Sequence, residues 1–334
     1  MKNNKKINAA CIGLGFGMTH AKVFKKNKHV NLINISDIDL KKKNYSKILN
    51  TKFIENENEI FENKKINLVS IATYDNFHYT QIIKAIKSKK NLFIEKPLCQ
   101  SMTQFKNIKK YLRKNNIKLS SNFVLRHHPK FKRVKEIIEK KIIGKIYSIE
   151  GEYNYGRLEK LNKGWRGKIP FYSIVQGGGI HIIDLMNWFT NSFPIKAISA
   201  ANKIVTKNSK FRFNDNNIAI LKFYNGAIGK VSSNFSCVMP HHHFFKIFGS
   251  KGSITIGKDY IHLYRNAKKD SKPQKIKYKA DKNYKNKLLE NYINLLKRNS
   301  KIINPSLKEI FYSLVTCFAI ERSIETNKWE KIKI

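Results

Sequence analysis

The 334-residue chain is poor in cysteine, with only four. Cys11, Cys99, Cys237 and Cys317 are widely separated and form no CxxC pair, which argues against a cysteine zinc site and against a disulfide framework. The run His241–His243 does not suggest a metal site either, because consecutive residues of a strand point to opposite faces. We therefore expect reduced, mostly buried thiols, no resident metal and a cytoplasmic location.

Long hydrophobic runs are also missing. No apolar stretch approaches the ~20 residues that a membrane-spanning helix needs, so we expect no membrane partner. Lys2–Lys6 followed by the apolar run Ile7–Ile12 weakly resembles a signal peptide. We interpret the run as a first strand, because the glycines and the helical pattern behind it continue the same unit.

Negative charge is scarce as well: 23 acidic residues stand against 66 basic ones, giving a net charge of +43. Only nine of the basic residues are arginine, which reads bases and phosphates better than lysine does. The lysines are spread along the chain among many Asn and Ile residues. We therefore expect no specific nucleic-acid partner, but a positive field that attracts anionic substrates such as phosphates, nucleotide sugars or uronates.

What is present begins with a regular alternation of short apolar runs and amphipathic patterns over residues 1–122, which is typical of a parallel sheet with crossover helices. The predicted strands are Ile7–Ile12, Val30–Ser36, Leu68–Ala72, Asn91–Ile94 and Ile117–Ser120, with helices over Gln81–Lys87 and Met102–Arg113.

The pattern changes in residues 123–334, where longer strand-like runs are separated by turn signals. Helices are predicted over Phe131–Lys140, His181–Phe189, Tyr284–Lys297 and Leu307–Thr326, and strands over Ile146–Tyr155, Ile195–Val205, Ile218–Phe223, Ala227–Phe235, Phe244–Phe248, Ser253–Ile256 and Tyr260–Tyr264. The chain therefore reads as an α/β protein of two domains, 1–122 and 123–334, the second built on an antiparallel sheet with helices.

A glycine-rich turn directly follows the first predicted strand. Gly13 can make the tight turn, Gly15 lets a pyrophosphate approach the backbone, and the following helix presents its N-terminus to the negative charge. The third glycine of the GxGxxG pattern is replaced by Met18, and Gly17 is the residue that could relax the contact between helix and strand. The turn predicts a dinucleotide site.

Asp37 supports that prediction. It ends the second predicted strand, about 20 residues after Gly15, where a carboxylate binds the adenosine ribose hydroxyls of NAD. A carboxylate there repels the 2′-phosphate of NADP, so we favour NAD, although the lysines at 41–43 could tolerate that phosphate. The alternative role for Asp37 is an Asx turn or a helix N-cap ahead of Asp39.

With Glu95-Lys96-Pro97 behind the strand Asn91–Ile94, the chain resembles the Gfo/Idh/MocA family of NAD(P)-dependent oxidoreductases over nearly its whole length. The resemblance rests on ordered segments: Gly13-Leu14-Gly15 through His20, Ile71–His78, Glu95–Pro97, Asn122 to Arg126, Ile143–Ile146, Gly177–Asp184 and Gly249–Gly252. It implies an N-terminal Rossmann domain with a doubly wound parallel sheet and a C-terminal α/β domain with a large, mostly antiparallel sheet. It also implies a homodimer or homotetramer formed through that second sheet.

The resemblance assigns roles to single residues. Lys96 is expected to bind the reacting oxygen and to assist hydride transfer, and His181 to act as acid or base or to orient the substrate hydroxyl. The remaining cofactor contacts are expected from Gly13, Gly15, Phe16, Gly17, Asp37, Thr73, His78 and Glu95. Asp184, one turn after His181, is expected at the substrate site, bracing it more than touching substrate. The alternatives are a surface lysine and a satisfied helix histidine.

One position departs from the family pattern. Many relatives carry an aspartate four residues before this histidine, and here Gly177 stands in that place. Either the proton path uses Lys96 with another group, such as His181 or Tyr172, or the reaction is not a simple alcohol oxidation.

An aromatic and basic stretch, Glu152 to Gln176, lies between these segments and resembles members associated with surface-polysaccharide sugars. Aromatic faces suit sugar rings, and arginines can grip a phosphate or carboxylate. The expected substrate-binding residues are Asn122, Arg126, Tyr153, Arg157, Trp165, Arg166, Tyr172, His181 and Asp184. Tyr153, Tyr155 and Arg157 would share one face of a strand. The alternative is a half-buried sheet face with a loop.

Three functions follow. The first is an oxidoreductase that moves a hydride between NAD and a ring carbinol or ketone of a sugar or nucleotide sugar. The second is a lyase or hydrolase of the same family that recycles its bound NAD, motivated by Gly177. The third is a non-catalytic, dinucleotide-sensing partner protein, motivated by Met18 and Gly177. The sequence leaves the substrate, the carbon attacked and the direction of the reaction open.

Overall fold

The computed structural model describes residues 6–268, 270–298 and 304–334. The helices α1–α10 are Gly17–Lys26, Tyr45–Leu49, Asn58–Glu62, Asp75–Lys87, Met102–Lys114, Pro129–Glu139, Glu159–Asn162, Ile180–Thr190, Tyr284–Lys297 and Leu307–Thr326. The strands β1–β15 are Ile7–Ile12, Val30–Ser36, Lys52–Phe53, Leu68–Ile71, Asn91–Ile94, Leu119–Ser121, Ile146–Asn154, Pro194–Asn202, Asn216–Phe223, Ile228–Asn234, His242–Gly249, Gly252–Ile256, Ile261–Tyr264, Gln274–Lys275 and Glu330–Lys331. No described helix combines the length and the apolar character needed to cross a membrane.

The chain divides into two compact units. The first comprises Met1–Val124 and Asn283–Leu307, and the second comprises Leu125–Lys282 and Lys308–Ile334. Helix α9, which the sequence analysis placed in the second domain, belongs to the first unit, because its apolar face joins the core beside β1 and β2. The limits 1–122 and 123–334 stay a prediction for the functional domains.

The first unit is built on a six-stranded sheet of order β3-β2-β1-β4-β5-β6, in which every pairing is parallel. The strands are short and mostly buried, as expected when helices cover both faces of a parallel sheet. The strand order reverses between β1 and β4, and in such sheets ligands bind beyond the carboxyl ends of the strands at that point. Gly13, Asp37 and Lys96 all follow the carboxyl ends of strands of this sheet.

The second unit is built on a nine-stranded sheet of order β14-β13-β12-β11-β7-β10-β9-β8-β15. Its pairings are antiparallel except that β7 and β10 are parallel, so the predicted fold class of the domain is confirmed. Helix α8 packs across β7 at Gly151, where a Cβ would lie 2.5 Å from the Ile182 side chain. The missing side chain at Gly151 therefore lets the helix that carries His181 lie close to the sheet.

Candidate functional site

The turn between β1 and α1 has the shape that a dinucleotide loop requires. Gly13 has φ +85°, and a Cβ there would lie 2.4 Å from the carbonyl oxygen of Ala72, so only glycine fits. A Cβ added at Gly15 would meet nothing within 4 Å, so the backbone is open at that point. Phe16, 43% exposed, lies next to it. These features fit a pyrophosphate that approaches the backbone at Gly15.

The replacement of the third glycine by Met18 does not prevent close packing of α1 on the sheet. A Cβ at Gly17 would lie 2.9 Å from Cβ of Ala72 and 3.1 Å from Sγ of Cys11. Gly17 therefore makes the close contact between helix and sheet, one position earlier than in the GxGxxG pattern. Met18 packs half-buried against the core of the first unit.

Asp37 connects the end of β2 to the glycine turn. One carboxylate oxygen, Oδ2, accepts the backbone N–H of Leu14 and lies 2.8 Å from Nζ of Lys42. The other, Oδ1, accepts the backbone N–H of Asp39 at 2.8 Å. The Asx turn considered from the sequence is thus present, and it coexists with a direct contact to the dinucleotide turn.

The loop that carries Lys96 is held by a buried polar network. Oε1 of Glu95 accepts the Asn122 amide, and it lies 3.4 Å from Nε2 of His20, whose Nδ1 lies 2.8 Å from Oγ of Ser70. Burial would raise the pKa of Glu95, but His20, Asn122 and the charge of Lys96 lower it below its ordinary value. Glu95 therefore stays charged. Asn122, expected to bind substrate, is buried in this network.

His78 lies between the loops that follow β4 and β5. Its Nδ1 is 2.6 Å from the carbonyl oxygen of Pro97 and its Nε2 is 3.2 Å from that of Thr73. Thr73 also donates its hydroxyl to Gln81 at 2.7 Å. His78 is 0% exposed, so we interpret it as positioning the loop of half-buried Lys96 and not as touching the dinucleotide.

No role for His20 or Ser70 follows from the sequence alone. His20 falls on the buried face of α1, and Ser70 is a lone hydroxyl inside an apolar strand. A polar residue at a core position needs a partner, and this was the available signal. The identity of the partner, 50 positions away, was not readable from the pattern.

In the second unit, Gly177–Gly179 directly precede the helix that carries His181. These three glycines belong to a π-helical turn, Val175–Gly179, which is followed at once by α8. A Cβ at Gly178 would lie 2.6 Å from the Tyr153 ring, and one at Gly179 would lie 2.3 Å from Oγ of Ser233. The glycines therefore allow the start of α8 to press against the sheet, which places the His181 ring 6.3 Å from the Tyr153 ring in a stacked arrangement.

Tyr172 occupies the space beside Gly177. A Cβ at position 177 would lie 2.1 Å from the Tyr172 hydroxyl oxygen, so an aspartate at this position would clash with the tyrosine. The hydroxyl accepts a hydrogen bond from Nε of Arg166 at 2.9 Å. The departure from the family pattern is thus accompanied by a buried phenol paired with an arginine.

Tyr153 and Tyr155 lie together with two histidines that the sequence analysis set aside. Tyr153 stacks on Tyr155 at 6.1 Å, and its ring centroid is 5.2 Å from that of His241 and 5.1 Å from that of His243. Burial and neighbouring basic groups, His241 and Lys130 among them, hold the pKa of His243 well below its ordinary value. The spacing i, i+2, which puts two strand residues on one face, was the signal for this pair. No group of three potential metal ligands occurs among the described residues.

Arg126 and Asp184 form a buried ion pair. The two Asp184 oxygens accept Nε and Nη2 of Arg126, both at 2.8 Å, and Nη1 of Arg126 donates to Glu309 at 2.8 Å. Burial would lower the pKa of Arg126, but the two carboxylates raise it above its ordinary value. Arg126 is 3% exposed and Asp184 is 1% exposed. Arg126 was expected to bind substrate, and we now interpret it as bracing the helix of His181, the kind of role already expected for Asp184.

Glu321 on α10 is hydrogen-bonded to the π-helical turn that contains the three glycines. It accepts Nε2 of Gln176 at 2.7 Å, and burial raises its pKa to about 7, with Glu325 adding to the shift and Ser173 and Gln176 opposing it. A carboxyl whose pKa is higher in the folded state lowers stability as the pH rises through that interval. The loss of stability begins as the pH rises past the ordinary pKa of 4.5 and is complete above about pH 7.

We therefore expect Glu321→Gln to raise the free energy of unfolding at pH 8 by about 3 kcal/mol and to change it little at pH 4. The measurement is urea denaturation of both proteins at the two pH values. Glu159→Gln, at an exposed carboxylate that pairs with Lys163, is the matched control and should show no such gain. An equal effect of Glu321→Gln at both pH values would contradict the prediction.

Comparison with known proteins agrees with this arrangement. Residues 7–123 match the model of the oxidoreductase family with an NAD-binding Rossmann fold, and residues 131–255 match that of the GFO/IDH/MocA C-terminal domain. The chain belongs to the Gfo/Idh/MocA family. Its first unit is thus an NAD(P)-binding domain, and the protein is a member of a family of NAD(P)-dependent oxidoreductases.

Individual members of the family are similar at low identity. The chain is 25% identical to a myo-inositol 2-dehydrogenase of Thermotoga maritima over 253 residues, 73% of each chain. It is 21% identical to a 2,7-anhydro-N-acetylneuraminate hydratase of Escherichia coli over 257 residues, 75% of this chain and 67% of the relative. The structure resembles a levoglucosan dehydrogenase in complex with NADH and levoglucosan, with a TM-score of 0.85, 18% identity and coverage of 98% and 100% of the two chains.

Proposed function

We propose that the protein is an NAD-dependent dehydrogenase or reductase that transfers a hydride between nicotinamide and a ring carbinol or ketone of a sugar or nucleotide sugar. The observation that carries the proposal is the placement of the open glycine turn, Asp37 and the Glu95-anchored Lys96 loop after the carboxyl ends of strands in one parallel sheet. The relatives named for inositol and levoglucosan support the substrate class.

The cofactor supplies the hydride acceptor at nicotinamide, and the protein supplies the path for the proton. In the oxidative direction the carbinol carbon loses a hydride and its hydroxyl loses a proton. Lys96 hydrogen-bonds the reacting oxygen and takes part in moving that proton. Glu95, which stays charged, and His78 fix the loop on either side of Lys96. His181 orients the substrate hydroxyl from the start of α8.

The proposal is tested with the purified protein, thermal denaturation and the absorbance of NADH. NAD should stabilise the protein more than NADP does. NADH should then form with at least one compound of a panel of cyclitols, sugars and nucleotide sugars, or be consumed with the corresponding ketone. Absence of stabilisation by either dinucleotide would contradict the proposal, and NAD binding without turnover on the panel would favour a non-catalytic role.

A second candidate is an enzyme that oxidises a sugar transiently, breaks a bond and returns the hydride. It is favoured by Gly177, where the structure leaves no room for a carboxylate, and by the similarity to a hydratase. Such an enzyme would keep NAD bound and would convert substrate without a net change in NADH absorbance. Product analysis by mass spectrometry in the same reactions separates the two candidates.

The choice between NAD and NADP is expected to depend on Lys42. Its ammonium lies 2.8 Å from the Asp37 carboxylate, so it offsets the charge that would repel a 2′-phosphate. Lys42→Ala should therefore weaken NADP binding about tenfold relative to NAD binding. Calorimetric titration with both dinucleotides measures this, with the exposed Lys47→Ala as control. Equal losses for NAD and NADP would show that Lys42 does not discriminate.

Self-association through the second sheet stays a prediction. Tyr147, Ile218 and Ile228 lie exposed on β7, β9 and β10, three strands that are neighbours in that sheet. We propose that they contribute to a homodimer or homotetramer contact.

A further inference from the structure

Two guanidinium groups converge on one aromatic ring in the second unit. Cζ of Arg157 lies 5.4 Å from the centroid of the Tyr155 ring, and Cζ of Arg166 lies 5.8 Å from the same centroid. Burial raises the pKa of Tyr153, and the charges of both arginines oppose that rise. Like charges gathered in this way repel each other, and a bound anion relieves that repulsion.

Arg166 is held in a defined orientation. Its guanidinium carbon lies 4.6 Å from the Trp165 ring centroid, and its Nε donates to the buried Tyr172 hydroxyl at 2.9 Å. Aromatic stacking and a fixed hydrogen bond reduce the entropy that the side chain loses when it binds a ligand. The arrangement is therefore a preorganised cation and differs from the many solvated lysines of the surface.

Arg157 approaches the same ring from a turn that only glycine can make. Gly156 has φ +56°, and a Cβ there would lie 1.7 Å from the carbonyl oxygen of Met239. The Arg157 side chain is exposed, and the nearby Glu159 carboxylate pairs with Lys163. The turn thus presents a solvent-accessible guanidinium beside the ring that also contacts Arg166.

A chain of stacked rings connects this pair to His181. The Tyr155 ring stacks on Tyr153 at 6.1 Å, and Tyr153 stacks on His181 at 6.3 Å. Two ring-to-ring steps therefore separate the arginines from the histidine that orients the reacting hydroxyl. A carboxylate bonded directly to a carbon of the reacting sugar ring extends less far from that ring than a phosphoryl group attached through an ester oxygen.

We propose that Arg157 and Arg166, arranged around Tyr155, form a subsite for a phosphoryl group of the substrate, so that the protein acts on a sugar phosphate or a nucleoside diphosphate sugar. The inference deepens the proposed function and rests on it for the role of His181. The chemistry shared by both sources is a phosphate ester on a sugar, which bidentate guanidinium groups recognise.

The test is calorimetric titration of the NADH-loaded protein at physiological salt, where diffuse attraction to surface lysines is screened. The probes are glucose, glucuronate, glucose 1-phosphate and UDP-glucose. We expect at least one phosphorylated probe to bind about tenfold more tightly than glucose. Arg157→Gln and Arg166→Gln should each remove most of that preference. Tighter binding of UDP-glucose than of glucose 1-phosphate identifies the diphosphate as the source, and equal binding identifies the monophosphate.

Two further variants separate a specific subsite from general charge and from structural damage. Arg133→Gln removes the same charge from the same unit, at a surface arginine that pairs with Glu136, and should leave all affinities unchanged. Tyr172→Phe removes the hydrogen bond to Nε of Arg166 and should weaken phosphate binding partially while leaving NAD stabilisation intact.

The inference is overturned if no phosphorylated probe is preferred over glucose, if glucuronate binds more tightly than both phosphorylated probes, or if Arg133→Gln costs as much as the other two variants. Stabilisation by NAD is measured in parallel. If NAD stabilises the protein but no phosphate preference is seen, only the phosphate subsite is refuted. If NAD does not stabilise the unmutated protein, the proposed function itself is refuted.

Discussion

Lys96→Met is expected to lower kcat/KM by about three orders of magnitude while the protein still binds NAD. The reason is that a positioned acid or base contributes roughly 10²–10⁴ to the rate, and methionine keeps the length of the side chain without a titratable group. The loop itself should persist, because it is anchored through Glu95 and through the contact of His78 with the Pro97 carbonyl oxygen. Steady-state kinetics and calorimetric titration with NAD measure the two effects separately.

Lys96→Arg distinguishes two roles for the ammonium group. Arginine keeps the positive charge but does not give up its proton in proteins. If Lys96 only stabilises charge on the reacting oxygen, Lys96→Arg should retain more activity than Lys96→Met. If it also moves the proton, both variants should be equally inactive. Lys114→Met, at an exposed lysine of α5, is the control. Near-normal turnover of Lys96→Met would refute the assignment.

Arg126→Met is expected to destabilise the protein by about 3–5 kcal/mol, because it leaves the Asp184 carboxylate buried without its partner. The ion pair is bidentate at 2.8 Å and lies on the helix that carries His181. Urea denaturation measures the loss. In protein that still folds, kcat should fall as well, since the start of α8 loses its brace.

A double variant tests whether the cost comes from the unpaired charge. Arg126→Met combined with Asp184→Leu removes both buried charges and should recover most of the lost stability, since apolar replacement of a buried pair is often neutral. Arg133→Met, which breaks the surface pair with Glu136, should cost less than 1 kcal/mol. A loss in Arg126→Met no larger than in this control would contradict the bracing role.

The polar residues expected at the site are of two kinds: some lie where they can reach a ligand, and others hold elements of the fold together. Lys96 is half-buried just beyond the end of β5, and Arg157 and Arg166 lie around the Tyr155 ring. Arg126, Asp184, Asn122 and His78 are buried, and their hydrogen bonds hold elements of the fold together. A sequence motif does not separate the two kinds of residue, because it records the type and order of residues but not their burial or their hydrogen-bond partners.

The sequence by itself determined the local elements and the order of the motifs. The predicted bounds of β1, β2, β5, α9 and α10 coincide with the structure, because alternation, apolar runs and helical periodicity are properties of neighbouring residues. The glycine turn, Asp37 and Lys96 follow predicted strands, and in a parallel sheet the carboxyl ends of the strands lie at one edge. For this reason fold and family were readable without coordinates.

Tertiary structure decided which distant groups meet. Arg126 pairs with Asp184 and with Glu309, 58 and 183 positions away, and the hydroxyl of Tyr172 fills the space beside Gly177. Helix α9 belongs to the first unit because its apolar face completes the core beside β1 and β2. The periodicity of the helix predicts an apolar face but does not indicate which of the two units that face packs against. These contacts depend on packing across the chain. A local pattern indicates that a buried polar group needs a hydrogen-bond partner, but only the folded chain determines which residue that partner is.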